Sequence, residues 1–248
     1  MNLTLLEITK EILSDMDGDL VNSIYDTEES EQVAGIVIST YRAMVSNTKW
    51  PSHRRLTDLD PYSDSTKPTH MTLDDNVKEL ISVNYNTAKS GDTRKLYTEM
   101  KYCSPDDFLR KTNMRNTDSS NTVVITDPSG VDIIILNDTA PSYFTSFDDS
   151  TIVFDSYDST VDSTLQSSKF QVTAYIMTEL SMNDTSVPDL PPDAFTALIE
   201  EATSRCQSKI RQFNDVKSEQ ESQRQSRWLS RKAFRTNGGI KYPNYGRR

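Results

Sequence analysis

Apolar residues recur at helical spacing at both ends of this 248-residue chain and give way to β-branched runs in between. That change of period constrains the fold more than any other feature. Side chains three and four apart share one face of a helix, and alternate residues share one face of a strand, so a stripe built for one period cannot bury itself as the other. Residues 3–15 carry Leu5, Ile8 and Ile12 at helical spacing, with Leu6 and Leu13 widening the stripe. The stretch "DMDGDLVN" reads as the turn that ends this helix. A second helix is expected from about Thr27, with Asp26 or Thr27 as N-cap and acids in the first turn, where the helix dipole favours them. Val33, Ile36, Val37, Tyr41, Met44 and Val45 form its apolar face. It should stop before Trp50-Pro51, because proline disfavours helix in the residue before it.

From Pro51 to about Pro188 the signals are those of strands and turns. "VKELISVNY" can pair with "RKLYTEMKYC" across "NTAKSGDT", and "TVVITDPSGVDIIILN" reads as a hairpin around Asp127–Gly130. "STIVFDSYD" and "SKFQVTAYIMTEL" supply two more strands, for a β-rich unit of about six. One short helix interrupts it, capped by Ser104 with Pro105 at its first position. Glycine is scarce, with seven in the chain, so turns fall to Asp, Ser, Asn and Thr, which close them through their own side chains.

At "VPDLPPDAF" the helical period returns. Phe195, Leu198, Ile199, Ala202, Cys206, Ile210 and Phe213 continue one stripe, and neither Gly nor Pro intervenes until Gly238. The expectation is a single helix of about 45 residues, roughly 65 Å long. Its second half, "NDVKSEQESQRQSRWLSRK", is almost wholly polar. A helix that leaves its own core is usually held by another chain, and a solvated surface helix is the plainer alternative. Together these readings give an α+β architecture. Two N-terminal helices and one long C-terminal helix form a helical bundle domain from residues 1–50 and 190–236, a β-rich domain of residues 51–189 is inserted, and residues 237–248 are an extended basic tail.

Charge divides the chain differently. The formal net charge is −10, yet residues 205–248 hold twelve Lys/Arg against three acids, a net of +9, which leaves −19 on residues 1–204. Such asymmetry marks an interaction tail whose partner is nucleic acid or an acidic protein surface.

The chemistry of enzymes and metal sites finds little support. The two cysteines, Cys103 and Cys206, have no second cysteine or histidine at metal-ligand spacing and read as reduced thiols. His53 and His70 sit in "PSHRR" and "KPTHM", outside any zinc or nucleophile-elbow motif, and read as loop histidines. A calcium loop starting at Asp15 fails at its sixth position, where Leu20 replaces the turn glycine, and at its twelfth, where Asp26 replaces Glu. With so many acids, a glycosidase-like carboxylate pair cannot be singled out. No cofactor is expected. "MNLTLLEITKEIL" lacks the basic start of a signal peptide, and no apolar run approaches the ~20 residues of a membrane span, so no membrane partner is expected.

Three segments taken together resemble a known family. "LTLLEITKEILSDMDGDLVNSIYDTEESEQVAGIVISTYRAMVSNTKWP" opens the chain, "LPPDAFTALIEEATSRCQSKIRQFNDVKSEQESQRQSRWLSRKA" follows the β segment, and "GGIKYPNYGRR" closes it. In order and character they resemble the head-to-tail adaptors of tailed bacteriophages, of the tail tubular protein A type. The resemblance covers about 50 residues at each end. It implies a structural virion protein of the neck, assembled in the host cytoplasm, that forms a ring of about twelve subunits joining the portal to the tail and lining part of the DNA channel.

The partners so implied are the portal protein, the lower tail (nozzle or tube) protein, neighbouring copies of the chain and the genomic DNA passing through. Portal docking would fall to Trp228, Arg231, Phe234, Arg235, Lys241, Tyr242, Tyr245, Arg247 and Arg248. The ring-forming helical core would hold Leu5, Ile8, Ile12, Ile36, Tyr41, Phe195, Ile199 and Ile210, and the loop carrying Tyr143, Phe144 and Phe147 would face the lower tail. Two other readings stand beside this one. The first is a nucleic-acid-binding protein using its basic arm, against which the acidic body argues. The second is a tail-associated enzyme degrading polysaccharide.

Overall fold

The computed structural model describes residues 3–88, 93–212 and 216–231, and the chain is of mixed α+β class. Among the described residues the helices are α1 (Leu5–Asp15), α2 (Glu28–Asn47), α3 (Pro105–Asn113), α4 (Phe195–Ile210) and α5 (Val216–Arg231). The strands are β1 (Arg54–Thr57), β2 (Asp60–Pro61), β3 (His70–Thr72), β4 (Val77–Asn86), β5 (Tyr97–Glu99), β6 (Lys101–Tyr102), β7 (Thr122–Thr126), β8 (Asp132–Leu136), β9 (Tyr143–Ser146), β10 (Thr151–Phe154) and β11 (Phe170–Ile176). The chain divides into two compact units, one of Met1–His53 with Met177–Arg248, the other of Arg54–Ile176.

In the first unit the helix boundaries follow from their caps. Thr4 accepts from the Glu7 amide while Glu7 reaches back to the Thr4 amide, so two otherwise unpaired donors at the start of α1 are satisfied. Thr27 and Ser30 do the same at α2. Leu5, Ile8 and Ile12 of α1, Ile36 and Tyr41 of α2, and Phe195, Leu198 and Ile199 of α4 are buried in one core, with Ile210 packed at its margin. Residues 51–53 and 177–189, read from the sequence as part of the β-rich domain, belong to this unit instead. Leu180 and Leu190 join its core. The backbone carbonyls of Ser186 and Asp184 accept from the Leu5 and Leu6 amides at 2.7 and 3.3 Å, which supplies partners for the first turn of α1.

The single long C-terminal helix is not formed. Helix α4 ends at Ile210, and Gln212 takes a left-handed backbone, φ 53°. The chain then reverses so that α5 packs back along α4. Arg211 anchors the break, donating to the Met16 carbonyl at 3.2 Å and pairing with Glu29 at 2.8 Å. Ser218 and Ser222 of α5 are buried, Ser222 Oγ donates to Glu201 of α4 at 2.5 Å, and Leu229 packs against the helical core. Small hydroxylic residues on one face let a polar helix lie close to another, so the second half of the run is held by its own chain rather than left free.

The second unit carries more strands than the six expected, because short edge pieces escape a periodicity reading. One sheet has the order β1-β11-β4-β5, all antiparallel, and another has the order β2-β3-β10-β9-β6, with β6 and β9 parallel. Strands β7 and β8 form a separate two-stranded hairpin, whose turn glycine Gly130 has φ 85°. Strand β10 is buried along its whole length. Its Ile152 and Phe154 join a core with Val83, Tyr85, Phe170 and Val172 of the first sheet, and its Val153 joins Phe108 of α3 with Ile125, Ile133 and Ile135 of the hairpin. Helix α3 starts at Pro105 with Ser104 accepting from the Asp107 amide.

Candidate assembly surfaces

The residues expected to face the lower tail are mostly structural. Tyr143 and Phe144 lie in β9, not in a loop. Asp155 fixes the start of that strand: Oδ1 accepts from the Ser142 and Tyr143 amides, both at 2.9 Å, while Oδ2 pairs with Arg115 Nη2 at 3.0 Å. Arg115 also donates to the carbonyls of Ile134 and Asp155. This buried carboxylate is compensated by a charge and by hydrogen bonds at once, as burial of a charge requires. The Tyr143 ring lies under the Lys111 ammonium at 3.8 Å. Phe144 is 8% exposed, packed between Tyr102 and Phe154 at ring separations of 5.7 and 6.1 Å. Tyr143 is half-buried, and Phe147 is the exposed member of the three, at 37% exposure, with its edge on Phe108. The accessible tip therefore shrinks to Phe147, Asp148, Asp149 and Ser150.

Neither histidine is a loop residue. His53 ends a single 3-10 turn, is buried, and bonds through Nε2 to the Asp189 carbonyl. Thr178, beside it, is joined to the Tyr41 hydroxyl, so this polar chain ties α2 to the returning segment. His70 on β3 is equally buried and meets Asp127 Oδ1 at 3.1 Å. The Ser129 hydroxyl donates to the same carboxylate rather than to the imidazole. Serine, aspartate and histidine are thus adjacent but in the wrong order for nucleophile activation, in which the histidine takes the serine proton. Both cysteines are free and buried, and burial pushes the Cys206 thiol up to about 12, away from the reactive thiolate.

Among the described residues, several surfaces are open to contacts. Residues 3–41 hold nine acids and Lys10 as their one base, with Leu20 and Tyr25 exposed among them. A cleft of about 300 Å³ lies where the end of α2 meets α4 and α5, lined in part by Met44, Trp50, Glu201, Ser226 and Leu229. In the second unit a hollow of about 370 Å³ runs along Leu80–Val83 to Tyr102, where β5 leaves β4 and the chain crosses to the other sheet. Sequence reasoning missed this last surface. Tyr102 and Ile81 gave no sign of exposure, which depends on how far β5 accompanies β4.

Of the expected portal-docking set, Trp228 and Arg231 lie on the backbone of α5 with side chains outside the description, and Phe234, Arg235, Lys241, Tyr242, Tyr245, Arg247 and Arg248 lie outside the described residues. Among the described residues no helix is long and apolar enough to cross a membrane. Compared with known proteins, the chain matches no family model and no curated sequence.

Proposed function

We propose that this chain is a head-to-tail adaptor of a tailed-phage virion, a ring-forming subunit that joins the portal to the tail around the path of the DNA. The observation that carries the reading is the closure of one helical unit by the two ends of the chain, the same two ends that resemble the adaptor family. Such a unit repeats one interface around an axis without straining the inserted β unit. The acidic face of α1 and α2 keeps like-charged DNA from adhering to the wall of a conduit. The C-terminal segment beyond α5, residues 232–248, contains five Lys/Arg and no acid. It docks on the portal, where Arg pairs with carboxylates and Tyr gives rigid contact area. The Phe147–Ser150 tip and the hollow at Tyr102 are the surfaces for the lower tail protein.

The test is electron microscopy of the purified chain mixed with the portal protein encoded alongside it. The expected result is an added ring on one face of the portal. Portal rings that stay bare at micromolar concentrations, with the chain bound instead to duplex DNA at physiological salt, would replace this reading with the nucleic-acid one.

A further inference from the structure

We propose that the open edge of β4 at Leu80–Ser82, with the hollow beside it, receives an extended segment of another protein as an added strand. Strand β4 keeps β11 on one side from Val77 to Tyr85. On its other side β5 pairs with Asn84–Asn86, and the Met100 amide closes that ladder on the Val83 carbonyl at 2.8 Å. The chain then crosses to the other sheet, where the Lys101 amide donates to the Ser142 carbonyl at 3.1 Å and β6 runs parallel to β9. Among the described residues no strand takes up the track beyond Val83. Alternate residues of a strand turn their backbone N–H and C=O to the same side, so Ile81, two before Val83, is placed to offer its pair to the open track. Ile81 also has no register partner in β11.

Backbone and hollow together set what fits. A row of donors and acceptors at strand spacing is matched by another strand, whose main chain supplies affinity and whose alternate side chains supply specificity. The hollow of about 370 Å³ lies on the same track, lined by Leu80, Val83, Met100, Tyr102 and Phe144, and suits one apolar side chain of that strand. Val83, Met100 and Phe144 are fixed in the core, so this seat exists before binding and costs little to order. Tyr102, 64% exposed, and Ile81 give the incoming strand apolar surface to cover. A second copy of the same edge is the poorer occupant. The β4 register breaks at Ile81 and again at Lys78, and Lys78 and Glu79 set charge beside the open stretch. Bulges and edge charges are the devices that keep like edges apart. The inference rests on the proposed function for one point, the source of the segment, which is the lower tail protein.

The test is nuclear magnetic resonance of the full chain titrated with a blocked synthetic peptide, Thr-Val-Thr-Phe-Thr-Val-Thr, which favours an extended backbone and carries one ring for the hollow. At about 1 mM peptide the amide signals of Leu80, Ile81 and Ser82 and the Tyr102 ring signals should shift together. Two further peptides are N-methylated, each at one of the two alternate sets of residues. One of them should bind at least about tenfold more weakly than the parent and the other should not, because a strand turns only alternate amides to the edge. Signals at Leu80–Ser82 that ignore the parent peptide, or three peptides that bind equally, would overturn strand addition. Shifts of those signals with protein concentration alone would give the edge to a second copy and overturn it too. The lower tail protein encoded alongside then tests the source. Ile81→Lys and Tyr102→Ser, both at exposed positions, should each weaken its binding while circular dichroism and ring formation on the portal stay unchanged. Undiminished binding by both variants would overturn that source. A portal left bare by the wild type removes the adaptor reading and leaves the peptide result standing.

Discussion

Helices α4 and α5 are both 16 residues long and lie side by side, yet they are held by different forces. Helix α4 buries Phe195, Ala197, Leu198, Ile199, Ala202 and Cys206 against α1 and α2. Among the described side chains of helix α5, Leu229 is the packed apolar contact, and serines and a hydroxyl-to-carboxylate hydrogen bond meet α4. Each fully buried large apolar side chain is worth about 1.5–3 kcal/mol, and a hydrogen bond to a charged group about 1.5–3 kcal/mol at best. The contrast therefore lies in number of anchors. Helix α4 is part of what folds the unit, while α5 is a cover laid on it.

The contrast breaks most visibly with charge. Leu198→Asp, or Ile36→Asp, should unfold the helical unit at a cost above about 4 kcal/mol, because a carboxylate there finds no partner. Gln223→Asp on the exposed side of α5 should stay within about 0.5 kcal/mol of wild type by urea denaturation followed by circular dichroism. The same rule separates two neighbours in the β unit. Phe144→Ser should cost about 3–5 kcal/mol, and Phe147→Ser, at a half-open site, no more than about 1 kcal/mol. Within the helix pair, Leu198→Ala should cost about 2–5 kcal/mol and Leu229→Ala about 1 kcal/mol, measured by the same titration. The smallest effect has the opposite sign. Gln212→Gly should raise stability by less than about 1 kcal/mol, since glycine relieves the left-handed backbone but frees the unfolded chain. A destabilised Gln212→Gly would mean that the α4–α5 turn does not limit stability as its backbone implies.

The contrast also explains what could be read from the sequence. Helices α1 and α2 were legible because their stripes and caps are local, and Leu5, Ile8, Ile12, Ile36, Tyr41, Phe195 and Ile199 are core residues. The break after Ile210 was hidden, because the turn uses Gln212 in a conformation normally given to glycine and is fixed by Arg211 reaching Met16, 195 residues away. Strand β9 was hidden for a similar reason. "NDTAPSYFTSFDD" is rich in turn formers, and it is pairing with β10 and β6, together with the amides donated to Asp155, that makes part of it a strand. Local pattern failed wherever distant partners decided the conformation, as it did for His53 and His70.

We propose that the chain beyond α5 serves docking and not folding. Deleting residues 237–248 and co-sedimenting the product with portal rings tests it most directly. The expected result is a protein with unchanged circular dichroism and melting temperature that stays in the supernatant while the full chain pellets with the rings. A truncated protein that pellets as completely as the full chain would contradict the account.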